Sequence, residues 1–206
     1  MAGPSKLAGK NLIVAEKMLQ VVTTVLEKKN IWYCLDGGTL LGIMRERRLL
    51  PWDNDIDLCV TADECDQVRA LVWYFRRRGY WVGVKKIRND HLPMKQGYVR
   101  VVKLRNRRYF TVAGPVRLDI FIKYTEGMKH YWVEGSRIKE TKKSVPKSYF
   151  DRIIPTEWNG KTYWIPEAYD EYLTFRYGDW RTPIENWNHL RDDGAIVRAE
   201  HHRSEQ

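Results

Sequence analysis

Along residues 11–28 the apolar positions Leu12, Ala15, Met18, Leu19, Val22, Val25 and Leu26 recur three and four apart, which predicts a helix with one buried stripe. The run IWYCL, residues 31–35, is continuous rather than periodic and predicts a short buried strand, stopped by Asp36-Gly37-Gly38. A short helix is expected over 39–47, and Pro51 breaks the chain ahead of a second strand, 54–60. Thr61 with Glu64 three residues on has the form of a capping box, opening a helix that carries Ala62, Cys65, Val68, Leu71, Val72 and Phe75 and stops at Gly79. Strand-like runs follow at 80–86, 98–104 and 116–122, with Arg105-Asn106-Arg107-Arg108 as the turn between the last two. Asn159-Gly160, with Ile153 before it and Tyr163-Trp164-Ile165 after it, predicts a hairpin. Pro166 is expected to start a final helix over 167–177, closed by Gly178.

Helices and strands mix without strict alternation, so the pattern predicts an α+β (mixed α/β) fold, a small mixed sheet covered by helices. With 206 residues, one domain over 1–190 is expected, followed by a charged, flexible tail over 191–206. No run approaches the ~20 apolar residues of a membrane span. Charges at Lys6, Lys10, Glu16 and Lys17 break any signal-peptide core, and the expected location is cytoplasmic. The three cysteines include no C-x-x-C pair, which predicts reduced thiols and disfavours a zinc knuckle. The five histidines show no metal-ligand spacing and are assigned no role. A net charge of +10 points to anionic partners: phosphates, nucleotides, nucleic acid or an acidic surface.

Chemistry concentrates in Asp53-Asn54-Asp55-Ile56-Asp57-Leu58. On a strand, Asp53, Asp55 and Asp57 share one face while Ile56 and Leu58 face the core. Carboxylates side by side are costly to bury, and a divalent cation removes that cost; a solvated acidic edge is the alternative. Asp119 stands alone in the apolar run 116–122, where it must pair with Arg117 or with the same metal. Asp36-Gly37-Gly38-Thr39, between a strand and a helix, lets backbone approach phosphate oxygens, or is merely a turn.

A Gly-Gly turn into a helix, a strand bearing D-x-D and a later strand bearing one Asp resemble the nucleotidyltransferase fold of the polymerase-beta type. Residues 33–58, YCLDGGTLLGIMRERRLLPWDNDIDL, closely resemble the signature of the LicD family, which includes fukutin-type proteins. Shared elements are Gly37 to Gly42, Arg45, Pro51-Trp52-Asp53 and Asp55-Ile56-Asp57; Leu118 to Phe121 and the stretch from Pro166 to Pro183 are similar as well. Departures are Asn54, where an acidic residue is frequent, and Glu46-Arg47-Arg48 in place of a His-containing turn.

The resemblance implies metal-dependent transfer of a phospho-alcohol, of the phosphocholine or ribitol-phosphate type, from a CDP-linked donor to a glycan hydroxyl, with release of CMP. It assigns Asp55, Asp57 and Asp119 to Mg²⁺ (or Mn²⁺), and Asp119 also to the acceptor's proton. Asp53 would act beside the metal, Gly37, Gly38 and Thr39 on phosphate oxygens, and Arg45 on the leaving CMP. Trp52 would stack on a base, a sugar ring or a quaternary ammonium group, or else pack under the turn after Pro51. Arg100, Lys103 and Arg117 are candidate helpers with no motif behind them. An enzyme transferring NMP to a small molecule or protein would use the same carboxylates. A non-enzymatic, basic nucleic-acid-binding module is the disfavoured third reading, because three clustered aspartates suit no polyanion.

Overall fold

The computed structural model describes residues 6–108, 112–135 and 139–198. Its main sheet has seven strands: β1 (Cys34–Leu35), β2 (Ile56–Thr61), β3 (Tyr80–Lys86), β4 (Val99–Arg108), β5 (Val112–Glu126), β6 (Lys129–Gly135) and β7 (Glu140–Pro146). They are ordered β1-β2-β5-β4-β3, and β6 adds to the far end of β5 and β7 to β6. Only the β2–β5 pair is parallel, so the sheet is mixed and the fold α+β, as expected. Strands β8 (Ile153–Trp158) and β9 (Lys161–Pro166) form the predicted hairpin apart from it. Asn159 and Gly160 both take positive φ there, 48° and 72°, the geometry of a two-residue hairpin turn.

Alternation divides the sheet into two faces. Ile56, Leu58 and Val60 of β2, Leu118, Ile120 and Ile122 of β5, Val102 and Leu104 of β4 and Val82 of β3 are all buried on one face. Helices α1 (Lys10–Lys28), α3 (Cys65–Ala70) and α4 (Val72–Arg77) pack against β5, β4 and β3. The opposite face carries Asp57, Asp119 and Lys103, and α2 (Gly37–Glu46) lies against β2. A fifth helix, α5 (Tyr169–Tyr177), ends at Gly178 as predicted.

Several boundaries differ. The Thr61 side chain caps nothing; it precedes a 3₁₀ turn at Ala62–Glu64, and the expected single helix breaks at Leu71 into α3 and α4. Strand β4 runs on through Arg105–Arg108 instead of turning. Asn106 sits at an irregularity in the β4–β5 register, and its side-chain oxygen accepts the Val116 N–H at 3.0 Å, so polarity here marks a bulge. The connection 109–111 lies outside the described residues. Pro166 closes β9, and the last helix begins three residues later, at Tyr169.

The expected flexible tail is corrected over residues 191–198. Asp193 and Ala195 are buried, the Ser144 N–H donates to the Ala195 carbonyl (2.8 Å), and the Val197 N–H donates to the Lys142 carbonyl (3.1 Å). Residues 199–206 lie outside the described residues. The segment is held because Asp193 is needed by two buried cations. Lys143, 0% exposed, donates to Asp193 (2.9 Å) and to Glu134 (2.5 Å), and the Arg176 guanidinium also pairs with Asp193. Arg176 reaches on to Asp36 at 3.3 Å, and Lys123 pairs with Asp36 at 3.0 Å. Three cations thus face three carboxylates inside the protein. Burial alone would raise the Asp193 carboxyl, but Arg176 and Lys143 hold it well below the ordinary range.

Removing one member of such a network leaves partners charged and buried, which costs about 3–5 kcal/mol. Asp193→Asn should therefore lower the urea midpoint sharply with little change in slope, whereas Asp66→Asn, in an exposed pair with Arg69, should leave it in place. An unmoved midpoint in the Asp193 variant would show that the network adds nothing to stability.

Candidate active site

The site is built at the junction of β1 and α2. Asp36 ends the strand and caps the helix, its Oδ1 accepting the Gly37 N–H at 2.8 Å. The same carboxylate receives Lys123, Arg176 and the Tyr172 hydroxyl. Burial pushes it up, yet the two cations hold it at about 2. Asp36 is thus a fixed anion that fastens the turn.

The two glycines after it are needed for close approach. Gly37 has φ +52°, and a Cβ built there would lie 2.4 Å from Oδ2 of Asp57. A Cβ on Gly38 would lie 1.9 Å from Oδ2 of Asp53. Their bare faces are therefore covered by carboxylates, while the glycines still line the cavity. Thr39 is buried, and its Oγ1 accepts the Asp57 N–H at 2.8 Å. Its hydroxyl holds the start of β2, and Thr39 is not among the residues that line the cavity.

Asp57 and Asp119 are register partners on the parallel strands β2 and β5, so their side chains stand next to each other on one face. Lys103 is the register partner of Asp119 on β4. The ion pair of Asp119 is made with Lys103, not with Arg117 as the sequence suggested; Arg117 acts on it at longer range. Oδ1 of Asp119 is buried with no hydrogen-bond partner. Burial, then Asp55 beside it, raises the Asp53 carboxyl to about 7. Burial and the neighbouring Asp55, Asp53 and Asp119 push Asp57 well above its ordinary range. Burial also raises Asp119, with Lys103 partly offsetting it.

These groups floor a cavity of about 670 Å³ that Asp55 also lines. Arg45 and Trp52 form one wall. Arg45 is not a solvated surface cation: its guanidinium is held by Glu46 (2.7 Å) and the Trp180 carbonyl (3.2 Å), 6.0 Å from the Trp52 ring centroid. Trp52 is 48% exposed, so it is available for stacking rather than packed beneath its turn. Arg100 lines the cavity too, with its guanidinium donating to the Gly135 carbonyl at 3.2 Å. Sequence reasoning missed Glu134, Tyr177, Trp180, Trp187 and His189, which complete the walls from distant parts of the chain. Only their proximity after folding marks them.

Four carboxylates share this floor with one lysine. Among the described residues, no three Asp, Glu, His or Cys side chains close into an ion-holding cage. The donor set is nonetheless all oxygen, mutually repulsive, and includes an orphaned carboxylate oxygen. That chemistry fits a hard divalent cation such as Mg²⁺ shared with phosphate oxygens.

A family model described as "LicD/FKTN/FKRP, nucleotidyltransferase domain" matches residues 30–168. The ribitol-5-phosphate transferase FKTN of Homo sapiens is 26% identical over 184 residues, covering 86% of this chain and 35% of that protein. The ribitol 5-phosphate transferase FKRP of Mus musculus is 33% identical over 174 residues, covering 76% of this chain and 30% of that protein. The lipopolysaccharide cholinephosphotransferase LicD of Haemophilus influenzae is 38% identical over 62 residues, covering 30% of this chain and 23% of that protein. The chain spans about a third of the length of the first two.

Raised carboxylates give the site a pH signature. A folded-state pKa of about 7 for Asp53, above its ordinary 3.8, means that the folded state binds more protons between those values. Its contribution to stability is therefore greatest in acid and falls as pH rises through that window. In buffer free of divalent ions, the urea midpoint of Asp53→Asn should gain on the wild type as pH is raised from 4 to 7. A constant difference across that range would mean that Asp53 is not destabilised by its neighbours.

Proposed function

This chain belongs to the LicD/FKTN/FKRP family, and on that premise we propose that it transfers a phospho-alcohol from a CDP-linked donor to a glycan hydroxyl, releasing CMP. The observation that carries this is the carboxylate floor against the Gly37-Gly38 turn, inside a cavity walled by Arg45 and Trp52. The names of the relatives, ribitol-phosphate and phosphocholine transferases, favour the same class of transferred group. Asp55, Asp57 and Asp119 would hold Mg²⁺ or Mn²⁺, with Asp53 beside them; when bound, the ion neutralises charge on the donor's phosphate oxygens.

Phosphoryl transfer demands in-line positioning and charge stabilisation more than covalent participation by the protein. The acceptor oxygen forms a bond to the distal phosphorus, and the bond from that phosphorus to the bridging oxygen breaks. The acceptor's proton goes to Asp119, whose burial keeps its carboxylate more basic than usual and whose orientation Lys103 fixes. Arg45, held rigidly by Glu46 and Trp180, counters the charge that grows on departing CMP. Trp52 presents an exposed ring face for the base or the alcohol.

Incubation with a panel of CDP-alcohols and glycans should yield CMP one-for-one with an acceptor that has gained a phosphodiester-linked alcohol by mass spectrometry. Chelation should abolish turnover, and Mg²⁺ or Mn²⁺ should restore it; full activity in excess chelator rejects the metal. Asp57→Asn and Asp119→Asn should each lower turnover by about 10²-fold or more while remaining folded. Asp63→Asn, exposed beyond β2, should turn over normally. An acceptor heavier by a whole nucleotide, with pyrophosphate released from CTP, would replace this reading with NMP transfer.

A further inference from the structure

The carboxylate face of the sheet does not end at Lys103. Strand β3 is the next strand outward, and its register places Gly83 opposite Lys103 and Trp81 opposite Arg105. Asp57, Asp119, Lys103 and Gly83 therefore form one row across four strands on one face. Residues two apart on a strand share a face, so Trp81 points to the same side as Gly83. Its indole does not stand clear of the sheet. A Cβ built at Gly83 would come within 2.9 Å of the Cη2 and Cζ3 atoms of Trp81, so the ring lies over the glycine. Trp81 is 41% exposed, and nothing in the transfer mechanism uses it.

We infer that Trp81, laid over Gly83, is a sugar-stacking platform that holds the glycan acceptor; this rests on the transfer reading above. Two arguments fix the occupant. An in-line displacement needs the attacking and leaving oxygens on opposite sides of the phosphorus. Arg45 and Trp52, the wall assigned to the nucleotide, belong to α2 and the segment before β2. On the other side of the carboxylates, the same row runs through Lys103 on β4 to Gly83 on β3, which the Trp81 ring covers. The second argument is chemical. A pyranose ring turns a face of C–H groups toward the electron-rich face of an indole, and its hydroxyls remain free for other partners. Strand spacing puts Trp81's glycine about 10 Å from Asp119, two strands away. The stacked ring is therefore a neighbour of the sugar that carries the reacting hydroxyl, and acceptors of two or more residues gain from it.

The test separates the acceptor from the donor. Trp81→Ala should raise the acceptor KM at least tenfold for oligosaccharides, with kcat, donor KM and acceptor-independent CMP release within about twofold of wild type. Gly83→Ala, whose new methyl displaces the indole without straining the backbone, should act in the same direction. Trp81→Phe should recover most of the loss. A shift in donor KM would place Trp81 on the nucleotide instead, and unchanged acceptor KM would make it a bystander; either result overturns the inference. A second measurement needs no turnover. Saturation-transfer NMR of the full chain with a panel of neutral oligosaccharides should show contact with ring protons that Trp81→Ala abolishes. Absence of contact in the wild type, or its persistence in the variant, overturns the platform even where no CDP-alcohol is consumed; lack of CMP from every donor with contact intact rejects the transfer reading alone.

Discussion

Asp36 is a carboxylate with almost no access to water, and the geometry of the whole site depends on the cations that neutralise it. Lys123 comes from the end of β5 and Arg176 from α5, and both must arrive before the turn can close. Arg176 is shared with Asp193, which also serves Lys143, which in turn holds Glu134. Taking six charges from water costs far more than any one pair returns, so an incomplete arrangement is not tolerated. Lys123 lies 4.0 Å from the Phe150 ring centroid and 4.8 Å from that of Trp132, whose electron-rich faces add to its enclosure. The result fixes where α2 begins, and with it the positions of Gly37 and Gly38.

Next to this balanced cluster stands an unbalanced one. Asp53, Asp55, Asp57 and Asp119 meet a single ammonium group, that of Lys103, and burial and mutual repulsion raise three of them. A fold that settles one charge cluster completely has no general difficulty in pairing ions. The surplus of negative charge is local to the cavity, as expected where binding rather than stability has shaped the side chains.

The parts legible in the sequence are those governed by neighbours in the chain. The stripe of α1, the alternation of Ile56, Asp57 and Leu58, the Asn159-Gly160 turn and the stop at Gly178 all express local geometry, whereas Asp53 and Asp55, expected on the same strand, precede β2. The carboxylate constellation was legible too, from the spacing of Asp53, Asp55 and Asp57 and from Asp119 alone inside an apolar run. What stayed hidden depends on partners far away. Lys123, Lys143 and Asp193 look like solvent-facing charges until the strands that bury them are paired. Strands β6 and β7 were missed for that reason, since lysines in β7 mask its inward positions. Arg105–Arg108 resembled a turn because polarity alone cannot distinguish a turn from a bulged strand. The partnership of Asp119 with Lys103 rather than Arg117 is a matter of cross-strand register, which no single segment specifies.

Chain order gives the buried network a further meaning. Asp36 and Arg176 stand 140 residues apart in the chain, and Asp193 lies farther still. Closing so large a loop offers little until the final contacts form, so the early strands cannot settle the turn on their own. The segment docked along β7 therefore reaches the site through Arg176: without Asp193, the guanidinium that neutralises Asp36 would lose a buried carboxylate partner.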